Sequence, residues 1–314
     1  MLAWDHALCR AVVAVYLRAI VGWLRRRAGG DRGARAQGGA VAILQRFGGA
    51  LNLNVHVHAL VLDGVFVADG PEGGVRFRAA WSRGAGDIVG LLATIARRID
   101  RLLARRGVSD PHGDGEAADR CGEAAPVLAG LAAASVRGVA ALGPRAGVPV
   151  RRWGDSIDAP APTEPGRWYA RQDGFSLHAG VIVAAGARDR LERVCRYALR
   201  PALGQDRLQL TPDGKAVLEL RRRWTDGTTH LVFEPVELLE RLAALIPRPR
   251  VNLILYHGVL APRAAWRKAI VPPGAPEPEG GSSTRLGSSR EGAASGRGPS
   301  ESQLGGADAA RLRV

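Results

Sequence analysis

Lysine is almost missing from this chain. Only Lys215 and Lys268 occur, although Lys and Arg together number 44 against 30 Asp and Glu. A GC-rich genome favours arginine codons, and the abundance of Ala and Gly points the same way, so the choice of Arg over Lys carries little. The excess of basic over acidic residues carries more. A formal net charge of +14 attracts polyanions, chiefly nucleic acid, by releasing their counterions. Cysteine is scarce too: Cys9, Cys121 and Cys195 lie far apart with no Cys-x-x-Cys, which excludes a disulfide framework and a zinc finger and fits a reducing, cytoplasmic compartment. Long apolar runs are lacking. Asp5, Arg10 and Arg18 break the N-terminal stretch before it reaches the roughly 18 residues of a membrane span, so neither a signal peptide nor a membrane partner is expected. Internal repeats are absent. What is present is a 46% hydrophobic chain of 314 residues, enough for one substantial core or two modest ones and too apolar for a disordered protein.

The most informative stretch is Asn52 to Leu62. Leu53, Val55, Val57, Ala59 and Val61 are apolar, while the alternate positions read Asn52, Asn54, His56, His58, Leu60 and Leu62. Strict alternation predicts a β-strand with one face in the core. At about 3.3 Å per residue, His56 and His58 stand roughly 6.6 Å apart at the backbone on the same face, as two ligands of one metal ion would. The other reading of the pair is a polar, solvent-facing strand. Asp63-Gly64 predicts a tight hairpin into a returning strand at Val65–Ala68, and Val41–Phe47 reads as a further strand upstream, which would put the histidines on an inner strand.

Helical periodicity marks residues 2–28, ended by Gly29-Gly30, and 87–106, whose arginines Arg97, Arg98, Arg101, Arg105 and Arg106 read as a solvated face. A strand is expected at 75–79, a surface loop at 107–124, an Ala-rich helix at 125–142 and a Pro-rich irregular segment at 144–167. Ser176–Ala184 alternates as one strand and leads into a helix from Arg188 to Leu199, stopped by Pro201. Leu208–Thr211, Lys215–Arg223 and Thr228–Phe233 form a β-meander joined by Asp-Gly turns, and Pro235 opens a helix to Ile246. From 271 the composition turns to Pro, Gly, Ser and Arg, as in a disordered tail.

In the 188–199 helix, Leu191, Val194, Cys195, Ala198 and Leu199 make one apolar stripe. Tyr197 falls off that stripe, with Arg193 one turn before it, Arg200 three residues after it and Arg190 two turns back. Guanidinium groups hold phosphate and ease the formation of phenolate, so Tyr197 is a candidate nucleophile whose attack on a phosphate would give a phosphotyrosine ester. Taken apart from the histidine pair, it reads rather as an ordinary half-exposed helix residue. Tyr16 and Tyr256 fit apolar packing patterns, and Tyr169 has no assigned role.

A His-hydrophobic-His strand on an antiparallel sheet with a tyrosine on a later helix resembles the HUH endonuclease superfamily. Phe47–Phe66, Leu177–Gly180, Cys195–Pro201 and Tyr256–Pro262, four blocks in order, resemble the rolling-circle transposases of bacterial insertion sequences. The fold so implied is α+β, with a central antiparallel sheet carrying the His-x-His strand, flanking helices, then a meander and helix. Residues 1–200 would form the endonuclease-like core, 201–270 the C-terminal part and 271–314 the tail. The resemblance implies cutting and rejoining of single-stranded DNA at transposon ends and target DNA. His56 and His58 would bind Mg²⁺ or Mn²⁺, and Tyr197 would attack the scissile phosphate, keeping the 5′ phosphate and releasing a 3′ hydroxyl. His178 is the candidate third ligand, ahead of His230 and His257, and Arg190, Arg193, Arg200, Arg221, Arg222 and Arg223 are candidate DNA contacts.

Two features depart from those transposases. A cysteine-rich zinc-binding region is expected to be missing at the N-terminus, and Arg193 stands where many members carry a second tyrosine. The competing functions are an inactive, truncated nucleic-acid-binding remnant, with Arg221-Arg222-Arg223-Trp224 as its phosphate and stacking contacts, and a two-histidine phosphoesterase without a covalent intermediate.

Overall fold

The computed structural model describes residues 2–29, 36–69, 74–80, 85–108, 120–154, 168–271 and 312–313. Its elements in chain order are α1 (His6–Arg27), β1 (Ala36–Gln37), β2 (Gly39–Phe47), β3 (Leu53–Leu62), β4 (Gly64–Asp69), β5 (Gly74–Ala79), α2 (Ala85–Arg105), α3 (Arg120–Ala124) and α4 (Pro126–Arg137). There follow β6 (Arg151–Gly154), β7 (Tyr169–Gln172), β8 (Phe175–His178), β9 (Ile182–Val183), α5 (Arg188–Ala198), β10 (Leu208–Leu210), β11 (Ala216–Glu219) and β12 (Thr228–Phe233). The last are α6 (Pro235–Leu245), β13 (Ile254–Gly258), α7 (Arg267–Ile270) and β14 (Leu312–Arg313). The class is mixed α+β, with antiparallel sheets and several helices.

The alternation along β3 organises the molecule. β3 pairs with β2 in antiparallel register, Ala59 opposite Ala42 and Val57 opposite Leu44, so the apolar residues of both strands share one face. That face is covered by Cys9, Val13, Leu17, Ile20 and Leu24 of α1 and, beyond them, Leu91, Ile95 and Ile99 of α2. Asp5 caps α1 by accepting from the Leu8 amide at 2.8 Å, and Arg27 at its other end pairs with Asp87 of α2 at 2.9 Å. α1 is long and apolar enough to cross a membrane by length and composition, contrary to the reading that its charges rule this out. Here that length packs on the sheet.

The full order of this sheet is β13-β2-β3-β14-β9, and the His strand is an inner one as expected. The expected hairpin at Asp63-Gly64 is not formed. β4 pairs with β1 and β5 in a separate three-stranded sheet, and Asp63-Gly64 is the corner where the chain passes from one sheet to the other. A Cβ on Gly64 would lie 2.1 Å from the Arg78 carbonyl oxygen, so glycine is there for close strand approach rather than for turn conformation. The hairpin partner of β3 is β2, joined through a turn closed by Gly48 N–H to the Asn52 carbonyl at 2.9 Å. In that turn Leu51, fully buried, holds a left-handed φ of 53°. Its side chain enters a second core with Leu53, Leu218, Leu231 and Phe233, and that burial is what sustains the strained backbone.

The second core belongs to the sheet β10-β11-β12-β6. The meander and the helix at Pro235 lie where expected. β6 does not: it forms within the segment read as irregular, of which 155–167 lie outside the described residues. Within the expected surface loop, 109–119 lie outside them and 120–124 are helical. Of the expected tail, 272–311 and 314 lie outside, and Leu312–Arg313 pair with both β3 and β9. Ser176–Ala184 is not one strand. β8 pairs with β7 in its own two-stranded sheet, while β9 joins the main one.

A buried polar chain ties the second core to the His strand. Arg241 of α6 donates to the Ser135 carbonyl at 3.3 Å, and the Ser135 hydroxyl, itself buried, accepts from the Leu53 amide at 2.8 Å where β3 begins. Ser135→Ala leaves that amide buried without a partner, and urea unfolding is expected to show a loss of about 1–3 kcal/mol.

Candidate active site

The second face of the main sheet carries the chemistry. Register places Gln45 opposite His56, Ile43 opposite His58 and Val41 opposite Leu60, so one half of the face is polar and the other apolar. The apolar half binds α5: Leu191, Val194, Cys195 and Ala198 pack on Ile43, Leu60 and Ile254. Four of the five stripe residues read from the sequence are therefore the packed ones. Leu199 is not; it follows the helix end and is 53% exposed.

This docking sets Tyr197 over the polar half. The ring centroids of His56 and His58 are 5.0 Å apart, and those of His58 and Tyr197 5.6 Å, both edge to face. Tyr197 is 55% exposed, so a macromolecular substrate can reach it. Tyr197 thus lies at the margin of the packed stripe, above the sheet, rather than on the far side of the helix. Arg200 stacks on its ring, with the guanidinium carbon 4.1 Å from the centroid, and donates to the Tyr197 carbonyl at 2.9 Å. The same guanidinium lies 5.8 Å from the Phe47 ring.

Gln45, 3% exposed, locks the assembly. Its Nε2 donates to the Ala198 carbonyl at 2.6 Å, next to Tyr197, which turns its Oε1 toward His58 Nε2 at 3.3 Å. His56 Nδ1 lies 3.0 Å from the Asn54 carbonyl oxygen, which fixes that ring by its own strand. Burial first, then repulsion from His56 and Arg200, pushes the His58 pKa down to about 4, so His58 is neutral at pH 7 and keeps a lone pair for a ligand.

Two imidazoles and the Gln45 amide oxygen are three donor groups without a carboxylate among them. Among the described residues no three His, Cys, Asp or Glu gather to hold a metal. Such a set suits a divalent ion whose remaining positions are filled by water and phosphate oxygens.

His178 is not with the pair. It ends β8, in register with Tyr169 of β7 and 6.3 Å from that ring, and its Cε1 lies 3.3 Å from where a Cβ on Gly180 would stand. The break after it takes β8 into the small sheet against α2, where Phe175 and Leu177 join Ile88 and Leu92. His230 bonds Thr229 Oγ1 at 2.8 Å on β12. His257 is half-buried on β13, its pKa lowered by burial and then by Arg18. Tyr16 is partly buried against the first core, and loss of solvent around its hydroxyl pushes its pKa up to about 12, whereas Tyr256 is 50% exposed and not core.

Arg190 and Arg193 line the exposed side of α5, and Arg221, Arg222 and Arg223 are exposed after β11. Trp224 is half-buried against the second core and already carries the Arg152 guanidinium 4.9 Å from its ring, so it is not the free stacking ring expected. Two residues escaped the sequence reading: Gln45, whose only signal is a polar residue in the apolar run Val41–Phe47, and Arg207, which gave none.

A family model, Y2_Tnp, described as "Putative transposase", matches residues 39–122 and 139–268, about two thirds of the chain. The chain belongs to this transposase family, and it is thereby a DNA-processing enzyme with DNA as its partner. The match takes in the whole of β2, β3 and α5. No curated protein and no solved structure matches it.

The depressed pKa of His58 has a measurable sign. An NMR titration of its ring is expected to centre near 4, below the ordinary 6.5. Because the unfolded chain takes up this proton first, His58 lowers stability as pH falls from 6.5 toward 4 and has no such effect above that window. His58→Gln should flatten that part of the stability profile.

Proposed function

We propose that this transposase cuts and rejoins single-stranded DNA through a 5′-phosphotyrosine intermediate, as an HUH-type rolling-circle enzyme. The observation that carries the reading is the approach of Tyr197 to His58 and of His58 to His56, across two elements nearly 140 residues apart. An exposed phenol beside paired imidazoles and a guanidinium that enters no ion pair among the described residues is the equipment of a phosphoryl displacement.

His56 and His58, with Gln45 Oε1, would hold Mg²⁺ or Mn²⁺, which supplies polarisation of the scissile phosphate. Tyr197 supplies the nucleophile: its oxygen forms a bond to phosphorus as the bond to the 3′ oxygen breaks. The phenol proton passes to water, and the departing oxygen takes up a proton to become a 3′ hydroxyl. Arg200, stacked on the ring, holds the phenol's orientation and offers positive charge to the phosphate. The ester conserves the bond energy, so attack by another 3′ hydroxyl can reverse the step and join strands. With Arg193 at the place of a second tyrosine, one nucleophile per chain serves both cleavage and joining. His178, set apart on β8, is not needed for this scheme.

The test is incubation with single-stranded transposon-end DNA and Mn²⁺, followed by denaturing electrophoresis. A protein–DNA adduct is expected that disappears in Tyr197→Phe and on chelation. In His56→Ala or His58→Ala it should fall by more than the roughly 10–100-fold that outer partners of a metal ligand command. Cleavage that survives Tyr197→Phe would replace the reading with a hydrolytic phosphoesterase, and DNA retardation with no cleavage would leave a binding remnant.

A further inference from the structure

Three arginines beside the site enter no ion pair among the described residues. Arg200 spans the Phe47 and Tyr197 rings and bonds only a carbonyl, that of Tyr197. Arg207 ends a short turn of 3₁₀ helix (Gln205–Arg207) after the Arg200-Pro201 break, and its Nη1 donates to the Glu219 carbonyl at 3.1 Å. Its Nε is buried with no hydrogen-bond partner. Arg221 lies two residues beyond Glu219 and is exposed. Among the described residues none of the three enters an ion pair, although seven ion pairs form elsewhere. Arg207 is also held below its ordinary basicity, by burial first and then by Arg221; Asp206 and Glu219 pull the other way, and Arg200 adds the smallest repulsion. Arg200 in turn repels a proton on His58. The Arg207–Glu219 hydrogen bond sets Arg207 against the segment that carries Arg221, and Arg200, on the Tyr197 ring, begins the stretch that leads to Arg207.

Clustering like charges in a fold costs free energy, and a desolvated guanidinium nitrogen with no acceptor adds to that cost. A polyanion that lies along the cluster removes both costs. Backbone carbonyls, not carboxylates, hold Arg200 and Arg207, so their orientation is fixed while their charge stays available. The aromatic faces of Tyr197 and Phe47 flank the first position only, which limits base stacking to the end nearest the site and leaves the rest to phosphate contacts.

We propose that Arg200, Arg207 and Arg221 form a track that holds successive phosphates of one DNA single strand running away from Tyr197. The track rests on the DNA-cutting reading for its substrate, but it is a binding surface and does not need the chemistry. It predicts that grip on the strand outside the scissile bond comes from the segment joining α5 to the second sheet, so the two halves of the molecule act on one strand together.

Binding of an oligothymidylate to Tyr197→Phe protein in chelator, over a salt series, tests the track apart from cleavage. Each phosphate released from a single strand is expected to lower the slope of log Kd against log salt by about 0.7. Arg221→Gln, which disturbs no hydrogen bond described here, should lower it by about 0.7, and Arg207→Gln with Arg221→Gln by about 1.4. The charge-matched pair Arg97→Gln with Arg98→Gln, exposed on α2, should leave the slope at the parent value. An unchanged slope in the Arg207 and Arg221 variants overturns the track, as does an equal loss in the α2 pair, which would mean diffuse attraction. A parent that binds no single strand overturns the track and the cutting reading together. A parent that binds with the expected slopes but never forms the tyrosine adduct leaves the track standing and removes the chemistry.

Discussion

A single buried amide joins the two halves of the site. Gln45 gives its hydrogen to the Ala198 carbonyl and its oxygen to His58, so the end of the Tyr197 helix and the histidine strand are referred to one side chain on the strand between His58 and the sheet edge. Without that bridge, α5 would rest on the sheet only through Leu191, Val194, Cys195 and Ala198. Apolar contact of that kind holds distance well and rotation poorly, because it is non-directional. The hydrogen bond supplies the direction, and low local dielectric makes it stronger than in water.

The sheet is built so that its two faces do different work without interfering. The small and branched residues Ala40, Ala42, Leu44, Val57, Ala59 and Val61 face α1, and the rigidity of that core fixes the backbone positions from which His56, His58 and Gln45 project. The second core reaches the same strand from its end, through Leu51, Leu53 and the Ser135 hydrogen bond. The histidine strand is held at its root by one core and along its back by another, which leaves its polar face free of packing duty.

Legibility in the sequence followed the range of the interaction. The alternation over 53–62, the apolar stripe of α5 and the helices near 6–27, 85–105 and 235–245 are local patterns, and they were read close to their bounds. Tyr197 and the histidines were singled out by residue type, although only the docking of α5 brings them together. The failures are tertiary. Asp63-Gly64 has the composition of a hairpin, but the strand after it leaves for another sheet, and Gly64 answers to the Arg78 carbonyl rather than to a turn. Leu177 to Val183 alternates across a break that only two separate sheets reveal, so His178 ends β8 in the small sheet rather than lying on one strand with β9. β6 hides among prolines because its pairing with β12 is made nearly 80 residues away. Gln45 looks like an interruption in an apolar strand until the register sets it across from His56.

The strand order also says when this site can exist. β13, residues Ile254–Gly258, closes the edge beyond β2, so a nascent chain emerging from the ribosome holds its histidine strand in an unfinished sheet until almost all of the transposase region has been made. Until then the outer rim of β2 offers unsatisfied amides and carbonyls to any neighbour, and synthesis in the cell sets a built-in delay between the appearance of Tyr197 and the completion of the sheet edge beneath it.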